Sequence, residues 1–320
     1  MIFKEKGKEK MKTLKKVAAT TLVLAMGVST VTGCGTKSVT MPQEPKDIAK
    51  LADERTRELD SYELKGTAGI AMDMMGQKVD VDVDLNAVYF KDPMKMKMDM
   101  KMVNNDENAK EDEKEMNVSM YFMKEDENYT MYMGMKAGKE DTQWTKTTMK
   151  KDDEEYKQLI ETLEKGGSTT DESLFDLYTK AEDQPKDQTM LELKLTGDKI
   201  ADMVNKSGVD TSALDSAGAS MEMIKQLGEI PMSMGVDNEN VYWKSVSIDM
   251  KDMLQGVFDT VKEQYASMLE GQDISMTIDE CQMQMTYENY NKATDFELPE
   301  EAKKAEDISE VIPDEDKTEK

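Results

Sequence analysis

Apolar residues recur at every second position through most of this chain, the period of a strand with one buried face. Before that rhythm starts, Ile48, Leu51, Ala52, Arg55 and Leu59 stand near helical spacing and predict a helix over Lys46–Leu59. Tyr62, Leu64, Gly66, Ala68, Ile70, Met72 and Met74 then occupy alternate positions. Gly76-Gln77 reads as a tight turn, after which Val79, Val81, Val83, Leu85 and Ala87 alternate with Asp80, Asp82 and Asp84. The pair is a hairpin with one oily and one acidic face. Met94, Met96, Met98, Met100 and Met102 interleave with Lys95, Lys97, Asp99 and Lys101. A charged loop, Asn104 to Glu113, leads to Met116, Val118, Met120 and Phe122, then Tyr129, Met131, Met133 and Met135, then Trp144 to Met149. These candidate strands, joined by short polar loops, form an antiparallel meander.

Helical spacing returns at Tyr156, Leu159, Ile160 and Leu163, stopped by Gly166-Gly167. A second short helix is expected over Ser173–Ala181, a strand at Leu191, Leu193 and Leu195, and mostly helix over 198–229. Tyr242 to Met250 alternates again, and 252–269 reads as a helix with Leu254, Val257, Phe258, Val261, Tyr265 and Met268 on one side. Ile274, Met276 and Ile278 lie on even positions, whereas Cys281, Met283, Met285 and Tyr287 lie on odd ones. That slip of phase predicts a turn or bulge near Asp279-Glu280. The two strand-rich regions need each other to complete a sheet, which gives one α+β domain over 46–303. Beyond Pro299 the chain is charged and poor in apolar residues, and 304–320 is expected to be an acidic disordered tail.

The N-terminal stretch follows other rules. An apolar run, Val17 to Thr32, is preceded by Lys12, Lys15 and Lys16 and ends Val31-Thr32-Gly33-Cys34. Basic flank, short greasy core and small residues before the break are a secretory signal over 1–33, whether Met1 or Met11 opens it. A cysteine directly after the break is the bacterial lipoprotein pattern, so Cys34 is expected to carry diacylglycerol. The apolar run is shorter than the roughly 20 residues of a spanning helix. Residues 34–45, with Pro42 and Pro45, then form a flexible tether. The expected location is the cell membrane, lipid-anchored on its extracytoplasmic face.

Charge and composition narrow the chemistry. There are 42 Lys+Arg against 67 Asp+Glu, a net charge of −25. Such a field repels phosphate backbones and excludes nucleic acid as a partner. It also opposes docking on anionic lipid, so attachment rests on the acyl chains of Cys34. The sequence has no His, which removes His-dependent triads and the usual zinc sites. With Cys34 lipidated, Cys281 has no partner for a disulfide within the chain, and it reads as a buried strand residue. Asp80, Asp82 and Asp84 lack the glycine and terminal glutamate of a calcium loop and read as a solvated face. No nucleotide loop, nucleophile elbow or catalytic cysteine pattern appears. The expectation is a protein without enzymatic activity or cofactor.

Three segments carry a resemblance. Ser61-Tyr62-Glu63-Leu64-Lys65-Gly66 opens a strand pair, a Met/Lys strand follows Asp92-Pro93, and Tyr287-Glu288-Asn289-Tyr290-Asn291 precedes Phe296-Glu297-Leu298-Pro299-Glu300-Glu301-Ala302. Together they resemble an uncharacterised group of Firmicute lipoproteins similar to the LolA/LppX superfamily. The resemblance implies a half-barrel, a curved antiparallel sheet wrapped around a few helices with an apolar cavity between them. It further implies carriage of a lipid or acylated molecule. The helical stretch at 252–269 and the long middle region depart from the pattern.

The chain has 31 Met and only 6 Phe, and three readings of that bias compete. Met fills a core adaptably because its unbranched thioether changes rotamer at low cost. The same property suits a pocket that accepts differing acyl chains. On that reading Met72, Met74, Met94, Met96, Met98, Met100, Met116, Met120, Met131 and Met133 line a hydrophobic-ligand site. Thioethers also suit Cu(I), but copper-handling methionines sit in exposed loops beside His or Asp, whereas these alternate within strands. No metal site is therefore expected. The alternative to carriage is an envelope interaction protein whose filled core holds no ligand.

Overall fold

The computed structural model describes residues 39–106, 109, 114–151, 160, 172–207, 221–225, 228–264 and 275–308. The signal segment with Cys34, and all of the expected helix at 156–163 except Ile160, lie outside them. In chain order the elements are α1 (Pro45–Arg57), β1 (Ser61–Met74), β2 (Gln77–Phe90), β3 (Lys95–Asn104), β4 (Glu115–Glu125), β5 (Asn128–Ala137) and β6 (Gln143–Met149). A 3-10 helix, Glu172–Leu177, precedes β7 (Thr179–Lys180), β8 (Gln188–Leu195), α2 (Gly197–Ser207), α3 (Met221–Lys225), β9 (Ile230–Asp237) and β10 (Trp243–Asp249). Last come α4 (Lys251–Gln264), β11 (Met276–Glu288), α5 (Glu300–Lys303) and β12 (Glu306–Asp307). The fold is α+β, mostly curved, unclosed antiparallel sheet with few helices. No helix among the described residues is long and apolar enough to cross a membrane.

The chain divides into two compact units. One draws on Met1–Glu58 and Gln158–Glu270, the other on Leu59–Lys157 and Gly271–Lys320. Each holds an apolar cluster.

In the first unit the strands run in the order β10-β9-β8-β7, antiparallel throughout. Leu174, Leu193, Leu195, Ile230 and Met253 form its buried cluster. Pro45 starts α1 without loss, since a first-turn N–H has no helical partner. The helix buries Ile48, Ala49 and Ala52 and packs on β7, β9 and β10. One turn further on, the buried Thr56 hydroxyl accepts a 2.8 Å hydrogen bond from the Trp243 backbone N–H. Two expectations change here. The segment expected as a helix over Ser173–Ala181 is the 3-10 helix followed by β7. Its buried residues Leu174 and Phe175 are adjacent, a spacing that gives an α-helix no single apolar stripe. The strand β9 was not anticipated, although Ile230, Met232, Met234 and Val236 alternate, because Pro231 and Gly235 break its apolar signature.

In the second unit the order is β12-β6-β5-β4-β3-β2-β1-β11, antiparallel except for β12. The first turn falls one residue earlier than the sequence reading places it. Met74 pairs with Gln77, and Met75 (φ 56°) and Gly76 (φ 79°) form the two-residue loop, both left-handed as a type I′ hairpin requires. The slip in β11 is a bulge as expected: Ala71 faces Glu280 while Met72 faces Ile278, so Asp279 is the extra residue.

The segment past Asn289 is described through Ile308, and 309–320 of the expected acidic tail lie outside the described residues. It forms α5 and then β12, whose Glu306 and Asp307 lie parallel to Thr145 and Lys146 of β6. Its few apolar residues suffice because the sheet offers them a matching surface. Phe296, Leu298 and Ala302 pack on Tyr121, Tyr132 and Trp144, so the second face of β4–β6 is buried as well. Gly134 lets the Trp144 ring lie against the strand, since a Cβ there would meet Cη2 at 2.7 Å. Burial, helped by Glu125, pushes the Tyr132 phenol up to about 12.

Polar contacts clip this C-terminal strap in place. Asn289 and Asn291 take positive φ, which Asn tolerates better than most residues. Asn291 Oδ1 accepts the Asp60 N–H at 2.6 Å, and Glu63 accepts the Asn289 amide at 2.7 Å and the Thr294 N–H at 2.9 Å. Lys95 pairs with Asp295 and lies 5.0 Å from the ring centroids of both Phe90 and Phe296. The Thr294 N–H and the Asn289 amide hold the Glu63 carboxyl below its ordinary value of 4.5. Lys95 and the Phe296 N–H do the same for Asp295 against 3.8. Carboxyls with lowered folded values stabilise fully above their unfolded values, and the contribution fades as pH falls through the folded ones. Urea midpoints taken from pH about 6 to about 3 are therefore expected to drop, and Glu63→Gln is expected to flatten part of that slope. An unchanged slope in the variant would remove Glu63 from the clip.

Candidate functional site

Register fixes which of the candidate methionines share a face, because directly opposed residues in an antiparallel pair lie on one side. One row runs Tyr62–Tyr89–Met96–Phe122–Met131 from β1 to β5. The next is Tyr287–Leu64–Ala87–Met98–Met120–Met133, starting on β11. Then come Met285–Gly66–Leu85–Met100–Val118–Met135 and Met283–Ala68–Val83–Met102–Met116–Ala137. The face continues through Asn104–Val81–Ile70–Cys281 and, past the end of β3, through Val79–Met72–Ile278 on β2, β1 and β11.

Exposure rises along these rows. Met96, Phe122, Met98, Met120 and Met133 are all buried. Met100, Met102, Met116, Ala68, Val83 and Met283 are half-buried. Met74 and Val79 are 45% and 39% exposed. On β1 to β4 the face thus passes from core at the end nearest Tyr62 to a half-buried apolar band toward the Met75-Gly76 turn, while on β11 Met285, Cys281 and Ile278 stay buried.

The ten candidates separate accordingly. Met94, just before β3, is buried with Met96, Met98, Met120 and Met133. Met72, Met100, Met116 and Met131 are half-buried, and Met74 is exposed. Met72 and Met74 lie beyond β3 and away from Met94 and Met96, so no single locus holds all ten. The band also contains Met102, Met135 and Met283, which the candidate set omits although they obey the same alternation. Cys281 is buried in β11, as its alternation implies.

The opposite face carries different chemistry. Thr67, Gly69, Asp82, Asp84, Glu280 and Gln284 contribute to a hollow of about 420 Å³ across β1, β2 and β11. Asp80, Asp82 and Asp84 are solvent-exposed as expected, with the Asn105 amide donating to Asp80 at 3.0 Å and Asp82 at 2.8 Å. Among the described residues no group of three His, Cys, Asp or Glu is placed to hold a metal ion.

Residues 44–307 match the family of unknown function DUF6612, and the chain belongs to that family. No curated protein matches it. Among solved structures it is similar to a DUF1329 family protein from Desulfovibrio piger ATCC 29098. That similarity has 9% identity and a TM-score of 0.25 over 80% of this chain and 96% of the other, too low to carry an argument.

Proposed function

We propose that this DUF6612 protein is an extracytoplasmic lipoprotein, anchored through a diacylated Cys34, that captures a lipid or other hydrophobic molecule on its methionine face. The sheet would then serve as a half-barrel of the LolA/LppX kind that the sequence resembles. The gradient of exposure along the methionine rows carries this reading. A fully packed core would bury the face from end to end, whereas here Met100, Met102, Met116 and Met283 remain half-open beside a closed base. An acyl chain laid on that band gains about 0.8 kcal/mol per methylene removed from water. The adaptable thioethers accept chains of differing shape.

The test uses residues 35–320, free of the anchor. Lipid is expected to co-purify and appear by mass spectrometry, and a fluorescent fatty acid is expected to bind. Met100→Asp or Met116→Asp should weaken that binding at least tenfold while circular dichroism stays unchanged. No co-purifying lipid and no uptake would sink the reading. A second reading, an envelope protein that binds a partner rather than a ligand, is favoured by one observation: the hollow of about 420 Å³ lies on the polar face. Retained partner capture by a protein that takes up no lipid would support it.

A further inference from the structure

We propose a soft-cation site at the open end of this sheet, in which the thioethers of Met72, Met74 and Met276, with Met75 beside them, take one monovalent ion of the Cu(I) or Ag(I) class. The proposal does not depend on lipid capture, although Met72 and Met74 also belong to the ten candidate ligand-site methionines. Met72 and Met74 alternate on one face of β1, and Met276 of β11 stands directly opposite Met74. Directly opposed Cβ atoms are about 4.5–5.5 Å apart and diagonal neighbours about 7–8 Å. Met has three rotatable side-chain bonds, so three sulfurs at these spacings can converge on one point.

Access distinguishes this cluster from the core. Met74 is 45% and Met75 59% exposed, whereas Met98 and Met120 are each 2% exposed and sealed from an arriving ion. Two hydrogen bonds hold the backbone beneath the cluster. Asp73 Oδ1 accepts the Gly76 N–H at 2.8 Å, and the Met75 N–H donates to Ser275 O at 2.9 Å. Binding therefore has little chain to order. Neutral, polarisable sulfur selects soft Cu(I) and Ag(I) over Zn²⁺, Mg²⁺ or Ca²⁺, which prefer imidazole, thiolate or oxygen. The net charge of −25 favours a small cation in the same direction.

Silver(I) is the probe, because it is redox-inert and keeps thioether preference. The full chain in detergent micelles is titrated in chloride-free buffer by calorimetry, with bound silver counted by elemental analysis after desalting. Wild type is expected to bind silver, and the pair Met74→Leu with Met276→Leu is expected to bind at least tenfold more weakly. The control pair Met98→Leu with Met120→Leu should bind as wild type does. Leucine preserves apolar volume at these exposed and half-exposed positions, and circular dichroism checks that the fold is kept. Absence of silver binding in wild type, or binding that survives the Met74/Met276 pair, overturns the site.

Discussion

Phe122→Ala is expected to cost about 3–5 kcal/mol, the range for truncating a buried Phe. The ring is fully buried and lies between Met96 on β3 and Met131 on β5. It also stacks on Tyr129 with centroids 5.4 Å apart. Methionine neighbours can swing partly into the space left behind, so the loss should fall toward the lower end of that range. Phe122→Met, which keeps most of the volume, should cost about 1 kcal/mol. Urea unfolding gives both values, and hydrogen exchange should speed up across β3, β4 and β5. A loss under about 1 kcal/mol for the alanine variant would mean that this end of the methionine face is not packed as described.

Trp243→Ala is expected to have an effect of similar size, about 3–5 kcal/mol, in the other unit. Trp243 is 2% exposed and its ring stacks on Tyr178 with centroids 6.0 Å apart. The bond to Thr56 uses the backbone N–H of Trp243, so it survives the substitution and the loss isolates the ring. Hydrogen exchange should rise in β8, β9 and β10. Protection left intact there would move the centre of that core elsewhere.

The two substitutions also mark how far the sequence could be read. Strict alternation placed β1 to β6 and β11 close to their observed bounds, because a strand with one buried face prints its period directly into the residue order. The Asp279 bulge was visible for the same reason, as a change from even to odd positions. Strands β7 and β9 were hidden. The first is two residues long, and the second carries Pro231 and Gly235 amid its apolar positions. The burial of Tyr121 and Tyr132 depends on Phe296 and Leu298, more than 150 residues away in sequence, and local periodicity cannot register a partner so distant. Tyr121 and Tyr132 in the polar phase, with Gly134 beside them, were the available signal. Within the candidate site, the period of two identified the shared face but could not say where along it burial ends. That boundary depends on what packs above the face, so Met98 and Met100 look alike in sequence and differ in accessibility.

The asparagines and the Phe296–Ala302 segment that carry the family resemblance have a plain structural role. They hold the strap.

The parallel pairing of Glu306 and Asp307 with β6 has a consequence for how the molecule meets its own copies. A bare outer strand is a template for joining sheets end to end, and proteins blunt it with short, charged coverings. Here two acidic residues occupy the hydrogen-bonding groups of Thr145 and Lys146, placing like charge where a neighbouring sheet would have to add. That covering works against polymerisation into fibres.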